Sequence, residues 1–162
     1  MAIPVRRASA ADASELSRLR EVMFSSLGPT PNRAAWWDAA VAALEEALAD
    51  PDGEIQAFVV DAPDPDAPGE LASCAVGIVE RRLPSPHNPI GMSGYVLSVA
   101  TDPRHRRKGY ARAVMQATLE WFESRGIQRV ELHASPDAEA LYRDMGFHEP
   151  HGLALTRWAD RS

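Results

Sequence analysis

Residues Tyr95 to Arg112 read YVLSVATDPRHRRKGYAR, and this stretch admits few folds. Tyr95, Val96, Leu97, Val99 and Thr101 are aromatic, apolar or β-branched, which marks a short strand. Asp102-Pro103 closes it, because the proline ring fixes φ and turns the preceding residue away from helix. Arg106-Arg107-Lys108-Gly109 then leads into a helix. A strand, a basic loop with a glycine and a helix together offer backbone N–H groups and positive potential to one anion. Arg104, Arg106, Arg107 and Lys108 add charge of the same sign as the helix N-terminal dipole. Gly109 and Ala111 are small enough to let main chain approach a phosphate closely.

The elements around this stretch follow from periodicity and turn chemistry. Ile3 to Arg7 reads as a strand. Ser9 and Asp12 cap a helix running to about Leu27, with Leu16, Leu19, Met23 and Leu27 toward the core. Gly28 to Asn32 breaks it. A second helix spans about Arg33 to Ala49, with Trp36, Ala40, Ala43, Leu44, Ala47 and Leu48 on one stripe. Trp37 lies off that stripe, at a pocket edge or on the surface. Ile55 to Asp61 and Leu71 to Arg82 read as an antiparallel hairpin across a proline-rich acidic turn. Gly77 marks a bulge or a close approach in the second strand. Leu83 to Gly94 is loop.

Gly109 to Arg125 is the best-defined helix. Ala111, Val114, Met115, Thr118, Leu119 and Phe122 share a face, and Gly126 suits the C′ position. Arg129 to Ala134 is a strand. Ser135 and Pro136 suit the start of a helix carrying Ala138, Leu141, Tyr142 and Met145 inward. Gly146-Phe147 suits a Schellman ending. Leu153 to Trp158 reads as a last strand. Two helices near the start, then ββαβα, predict one mixed α/β domain over residues 1–162.

Charge and cysteine content exclude other classes. With 162 residues and one cysteine, Cys74, the chain has no internal disulfide and no multi-cysteine metal site. No apolar run approaches the roughly 20 residues of a membrane span, and no signal peptide is read, so a cytoplasmic place is expected. The net charge of −6 argues against nucleic acid as a partner of the whole chain. The charge is unevenly spread. Residues 34–80 carry eleven acids and no Lys or Arg, while the remainder holds all seventeen cations. That polarity points to a cationic acceptor near the acidic part, or to a solvated acidic surface.

Three segments, in order, resemble the GCN5-related N-acetyltransferase (GNAT) superfamily. Arg106-x-x-Gly109-x-Ala111 matches its Arg/Gln-x-x-Gly-x-Gly/Ala signature. A helix and the strand Val130 to Ala134 follow. Ser135 through Tyr142 to Gly146-Phe147 is similar to its closing Asn-x-x-Ala-x-x-x-Tyr-x-x-x-Gly-Phe segment, with Ser135 where Asn is commoner. The resemblance covers roughly residues 95–147.

It implies a mixed sheet flanked by helices, with central strands that splay apart. It also implies acetyl-CoA as acyl donor and an amine, on a small molecule or a peptide, as acceptor. Membrane and metal have no part, and a homodimer is compatible with it. The amides of Arg107, Lys108, Gly109, Tyr110, Ala111 and Arg112 would hold the pyrophosphate, beside Arg106. Val99, Ala100 and Thr101 would flank the pantetheine arm in the splay, and Ser135 would stand near it. Tyr142 would place a phenol near the sulfur, where a departing thiolate needs a proton donor.

The resemblance leaves the proton acceptor open. In some members a carboxylate near the start of the central strand serves, and here Tyr95 stands there. That role therefore does not carry over to this chain, and Glu80, His87 and His133 are candidates only, each read rather as a surface or hydrogen-bonded structural residue. His148 and His151 are read as loop rather than as metal ligands. A non-catalytic acyl-CoA sensor on the same fold is the alternative function. No P-loop pattern occurs.

Overall fold

The computed structural model describes residues 2–29 and 32–159, and five strands within them form one sheet in the order β1-β2-β3-β4-β5. The strands are β1 (Arg6–Arg7), β2 (Ile55–Asp61), β3 (Leu71–Arg81), β4 (Met92–Thr101) and β5 (Val130–Glu131). The four helices are α1 (Ala13–Ser26), α2 (Trp37–Leu48), α3 (Tyr110–Ser124) and α4 (Glu139–Asp144). β1 to β4 pair antiparallel, and β5 returns parallel to β4 after the α3 crossover. This is the expected mixed sheet with helices on both faces.

Alternation along the strands divides the apolar residues into two cores. On one face Ala57, Val59, Cys74, Val76 and Ala100 pack under Leu16 and Leu19 of α1 and Leu44 and Leu48 of α2. On the other, Phe58, Val79 and Val96 meet Val114, Met115, Trp121 and Phe122 of α3, and Tyr142 of α4. Gly77 and Gly94 allow α3 to lie this close. A Cβ on Gly77 would stand 3.0 Å from Phe122 and Thr118, and one on Gly94 would stand 2.8 Å from the Phe122 ring. Gly94→Ala should therefore cost about 1–3 kcal/mol, by forcing a well-packed ring aside. A melting curve should move down by about 5 °C, and an unmoved curve would mean that the ring yields freely.

Two irregularities interrupt β4, and both bear on function. The β3–β4 register shifts between Cys74 and Val76, where β4 carries one extra residue and Ser98 takes φ +57°. Such a bulge bends a strand and re-aims a side chain. The β4–β5 ladder has only two pairs, Gly94 with Val130 and Tyr95 with Glu131. The central strands thus part after Tyr95, as the splayed arrangement requires.

Several expectations need correction. The first strand is only Arg6–Arg7 rather than Ile3 to Arg7. Leu27 ends α1 exposed rather than facing the core. β5 stops at Glu131 rather than Ala134, because β4 has already diverged from it. Ser135 does not cap α4 with its side chain. Its carbonyl accepts from the N–H groups of Ala138 and Glu139, so residues 136–138 make a turn and the helix begins at Glu139. Residues 153–158 form no strand, and Leu153 and Leu155 stand exposed. Alternating apolar residues make a strand only beside an edge long enough to pair with, and β5 is two residues long. Thr30 and Pro31, in the expected break, lie outside the described residues.

Other expectations hold in detail. The β2–β3 hairpin forms over its proline-rich turn. Gly126 follows α3 with φ +76°. Phe147 N–H donates to the Tyr142 carbonyl and Gly146 N–H to that of Arg143, which is the Schellman pattern. The Phe147 ring folds back edge-on to Tyr142 at 6.0 Å.

Candidate functional site

The loop between β4 and α3 has a firm root and a free tip. Asp102 is buried, and its carboxylate accepts from the Arg104 N–H at 2.9 Å, from the Arg104 guanidinium and from Arg18 of α1 at 2.8 Å. The hydrogen bonds from Arg104, helped by Arg18, hold the Asp102 carboxyl well below the usual carboxylate range against the opposing effect of burial. Arg104 is further tied to Glu70, so it is a structural cation and not part of the free charge expected of this loop. Arg106, Arg107 and Lys108 are exposed, and none has a carboxylate partner among the described residues.

The turn into α3 is made by two left-handed residues, Arg107 at φ +65° and Gly109 at φ +81°. Gly109 is the N-cap of a fifteen-residue helix with no side-chain cap and no acid in its first turn. The first intrahelical donor in the ladder is Ala113, to Gly109. The N–H groups of Tyr110, Ala111 and Arg112 therefore lack helical partners, as at any helix start.

They face a cleft of about 630 Å³ lined by Thr101, His105, Arg106, Arg107, Gly109, Tyr110, Ala111, Arg112 and Leu141. His105 Nδ1 is buried beside it with no hydrogen-bond partner among the described residues. Free cations, uncapped N–H groups and an orphaned polar atom fit a large phosphate-bearing ligand.

Of the remaining cofactor candidates, only Thr101 lines this cleft among the described residues. Val99 is half-buried on the α3–α4 side, Ala100 packs in the opposite core, and the Thr101 hydroxyl bonds that of Ser73 at 2.9 Å. Lys108 is exposed at the loop tip, outside the cleft lining. Ser135 lies before the α4 turn and does not line the cleft. Tyr142 also stands off the lining, but its neighbour Leu141 forms part of the wall. The Tyr142 ring is buried against Phe147, while its hydroxyl has no hydrogen-bond partner among the described residues. Burial pushes its pKa up, so the phenol is a proton donor at neutral pH.

On the α1–α2 face, register alone brings together residues that are far apart in the chain. Tyr95 stands opposite Ile78 on β3 and beside Glu131 on β5. Its hydroxyl makes a short hydrogen bond with His133 Nδ1. Burial, then the negative charges of Glu80 and Glu131, push the Tyr95 pKa up, so the hydroxyl keeps its proton at neutral pH. Glu80 itself is paired with Arg82 at 2.8 Å. His87 is exposed in the loop before β4. His148 Nδ1 meets the carbonyl of Glu149. Trp36 packs edge-on to Phe24 at 5.5 Å, and Trp37 lies under the Arg33 guanidinium.

A second, smaller cavity of about 150 Å³ adjoins this pair. Ala40, Ala43, Leu44 and Ala47 of α2 roof it, Ile78, Leu97 and Ser98 floor it, and Arg20 of α1 closes one side. Ala43 thus borders a cavity instead of filling the core. Sequence reasoning missed Arg20, although it sits between Leu16, Leu19 and Met23 at helical spacing, where a charged residue stands out. Eight of the eleven acids in residues 34–80 are exposed, and none lines this cavity. Among the described residues no helix is long and apolar enough to cross a membrane, and no cluster of three metal-ligating side chains occurs.

Comparison with known proteins bears out the fold and shows the family. Residues 18–147 match the model of the acetyltransferase (GNAT) family. A GCN5-related N-acetyltransferase from Ralstonia eutropha JMP134 superposes with a TM-score of 0.80 at 28% identity, over 95% of this chain and 97% of its own. A predicted acetyltransferase from Clostridium acetobutylicum, solved with acetyl-CoA, superposes at 0.80 with 21% identity, over 94% and 95%. Glucosamine-6-phosphate N-acetyltransferase from Arabidopsis thaliana does so at 0.72 with 17% identity, over 99% and 100%. The last two likenesses concern the fold alone. No curated protein matches the chain.

Proposed function

The chain belongs to the GNAT family of acetyltransferases, and from that premise we propose that it is an acetyl-CoA-dependent N-acetyltransferase passing the acetyl group directly to an amine. One observation carries the reading: a single strand, β4, reaches both sites. Thr101 at its end lines the phosphate-suited cleft, and Leu97 and Ser98 line the small cavity. Three residues of strand span about 10 Å, a distance over which a donor held at one site can meet an acceptor held at the other.

Each residue then has a defined task. Arg106, Arg107 and the N–H groups of Tyr110, Ala111 and Arg112 hold the pyrophosphate. The parting of β4 and β5 leaves the outer main chain around Val99 to Thr101 open for pairing with pantetheine amides and for polarising the thioester carbonyl. The amine nitrogen forms its bond to the acetyl carbon as the C–S bond breaks. Tyr142 gives its proton to the leaving sulfur. Tyr95 oxygen takes the proton shed by the amine while passing its own to His133 Nδ1, so charge balances on the imidazole.

Assaying thiol release from acetyl-CoA over a broad amine library tests the reaction. Binding of acetyl-CoA with no turnover on any amine would make the protein an acyl-CoA sensor instead. The proton relay has its own check. Tyr95→Phe and His133→Gln should each lower kcat/KM about tenfold at neutral pH, a modest loss because water can replace an exposed imidazole. The deficit should shrink as pH rises and more amine becomes neutral unaided. Rates equal to the parent's in both variants at neutral pH would return the proton to solvent.

A further inference from the structure

Arg20 is an arginine without an anion. Arg6, Arg18, Arg33 and Arg104 each meet a carboxylate within 3.2 Å, whereas among the described residues no carboxylate pairs with Arg20. Its Nε donates to Ser98 Oγ at 2.8 Å, and its guanidinium carbon lies 5.3 Å from the Phe24 ring centroid. Burial pushes its pKa down, with nothing stronger than the distant Cys74 sulfur opposing it. A guanidinium has five N–H donors, and among the described residues only Nε has a partner. Holding this charge half-buried is unfavourable unless something completes it.

The surroundings narrow what that is. Arg20 is the one charged side chain in the wall of the small cavity, and the rest is Ala, Leu, Ile, Val and Ser98. At roughly 30 Å³ for each water in the liquid, 150 Å³ takes about five waters, or an aliphatic group of some four carbons. Ser98 is held in place by its bulge, its carbonyl accepting from the Cys74 thiol at 3.2 Å. A planar carboxylate matches the guanidinium fork in two parallel hydrogen bonds, whereas a phosphate dianion calls for more donors than one arginine and one hydroxyl supply. The floor residue Ile78 is the ladder partner of Tyr95, so the proton relay stands at the cavity's other edge.

We infer, on the transferase reading above, that this cavity is the acceptor subsite and that the acceptor is an amine bearing a carboxylate and a short aliphatic group, as in a small apolar α-amino acid. The carboxylate is met by Arg20, the aliphatic group by the α2 roof, and the amine by Tyr95. The acidic stretch of residues 34–80 does not choose the acceptor, since its carboxylates stand outside this wall.

The test compares alanine, valine and leucine with their primary amides and with the amines lacking the carboxyl group. Steady-state thiol release is measured for the parent chain, Arg20→Gln and Arg20→Lys, beside calorimetric titrations of acetyl-CoA and of the amino acids. At least one free amino acid should exceed its amide about 30-fold in kcat/KM, the scale of a charged hydrogen bond in a half-buried site. Arg20→Gln should erase that preference through KM, lower the free acid more than its amide, abolish calorimetric binding of the amino acid and spare acetyl-CoA affinity. Arg20→Lys should restore part of it.

Amides or simple amines used as well as the acids would overturn the subsite while leaving the transferase standing. So would an equal loss on all acceptors in Arg20→Gln, which would make Arg20 a packing residue. Acetyl-CoA bound but never consumed would overturn the transferase reading, and this assignment with it.

Discussion

Gly109→Glu is expected to lower acetyl-CoA affinity at least 100-fold and leave the protein folded. Gly109 sits at φ +81°, so any other residue there is strained by about 1–2 kcal/mol. That is a fraction of the 5–15 kcal/mol by which domains of this kind are stable. A new Cβ meets only Ile3 Cδ1, at 3.4 Å, so there is room for the side chain. A carboxylate at this N-cap also suits the helix, which has no acid of its own in the first turn. For that reason the variant should bind phosphate badly: the new carboxylate occupies the N–H groups that the pyrophosphate needs, and repels it. Gly109→Ala has the strain without the charge and should lose far less. Calorimetric titration with acetyl-CoA, beside circular dichroism of both variants, separates the two effects. Unchanged affinity in the Glu variant would remove the cofactor from this cleft.

The parts of the fold that were legible in the sequence were those decided locally. Gly109, Gly126 and Gly146 punctuate α3 and α4 because left-handed backbone is nearly free only for glycine. The β2–β3 hairpin was legible because two β-rich runs flank one proline-rich turn.

The misses share a physical cause, dependence on a partner remote in sequence. Residues 153–158 have strand composition and no ladder to join. Whether Tyr95 stands alone or against His133 is settled by β4–β5 register across 38 residues. The bulge at Ser98 follows from a mismatch between neighbouring strands, which neither strand announces alone. Arg20 was legible in principle, as a charge on an apolar stripe. It was passed over because most arginines at such positions extend to solvent along their aliphatic stems. The basic loop was visible because its chemistry lies within six consecutive residues, and the small cavity was not, because five separate elements build it.

Tyr142→Phe should lower kcat about 100-fold and leave acetyl-CoA affinity nearly unchanged. The tyrosine has two separable parts. The ring is buried on α4, edge-on to Phe147, and contributes to the α3-side core, a role that Phe keeps. The hydroxyl has no hydrogen bond among the described residues, and burial raises its pKa, so it reaches the reaction as a neutral donor. A donor aimed at a thioester sulfur does little while that sulfur is uncharged, and much once the C–S bond has broken and a thiolate must be stabilised. An interaction made mainly in the transition state appears in kcat and in kcat/KM by equal factors, with binding untouched. The fold should not suffer, since removing a hydroxyl with no partner takes no hydrogen bond from the core. Single-turnover acetyl transfer with a working amine, beside titration of the same variant with acetyl-CoA, reads the two quantities separately. A variant as fast as the parent would leave Tyr142 to packing alone and give the sulfur's proton to water. A variant that instead loses acetyl-CoA affinity would show that the phenol holds the bound thioester before any bond breaks.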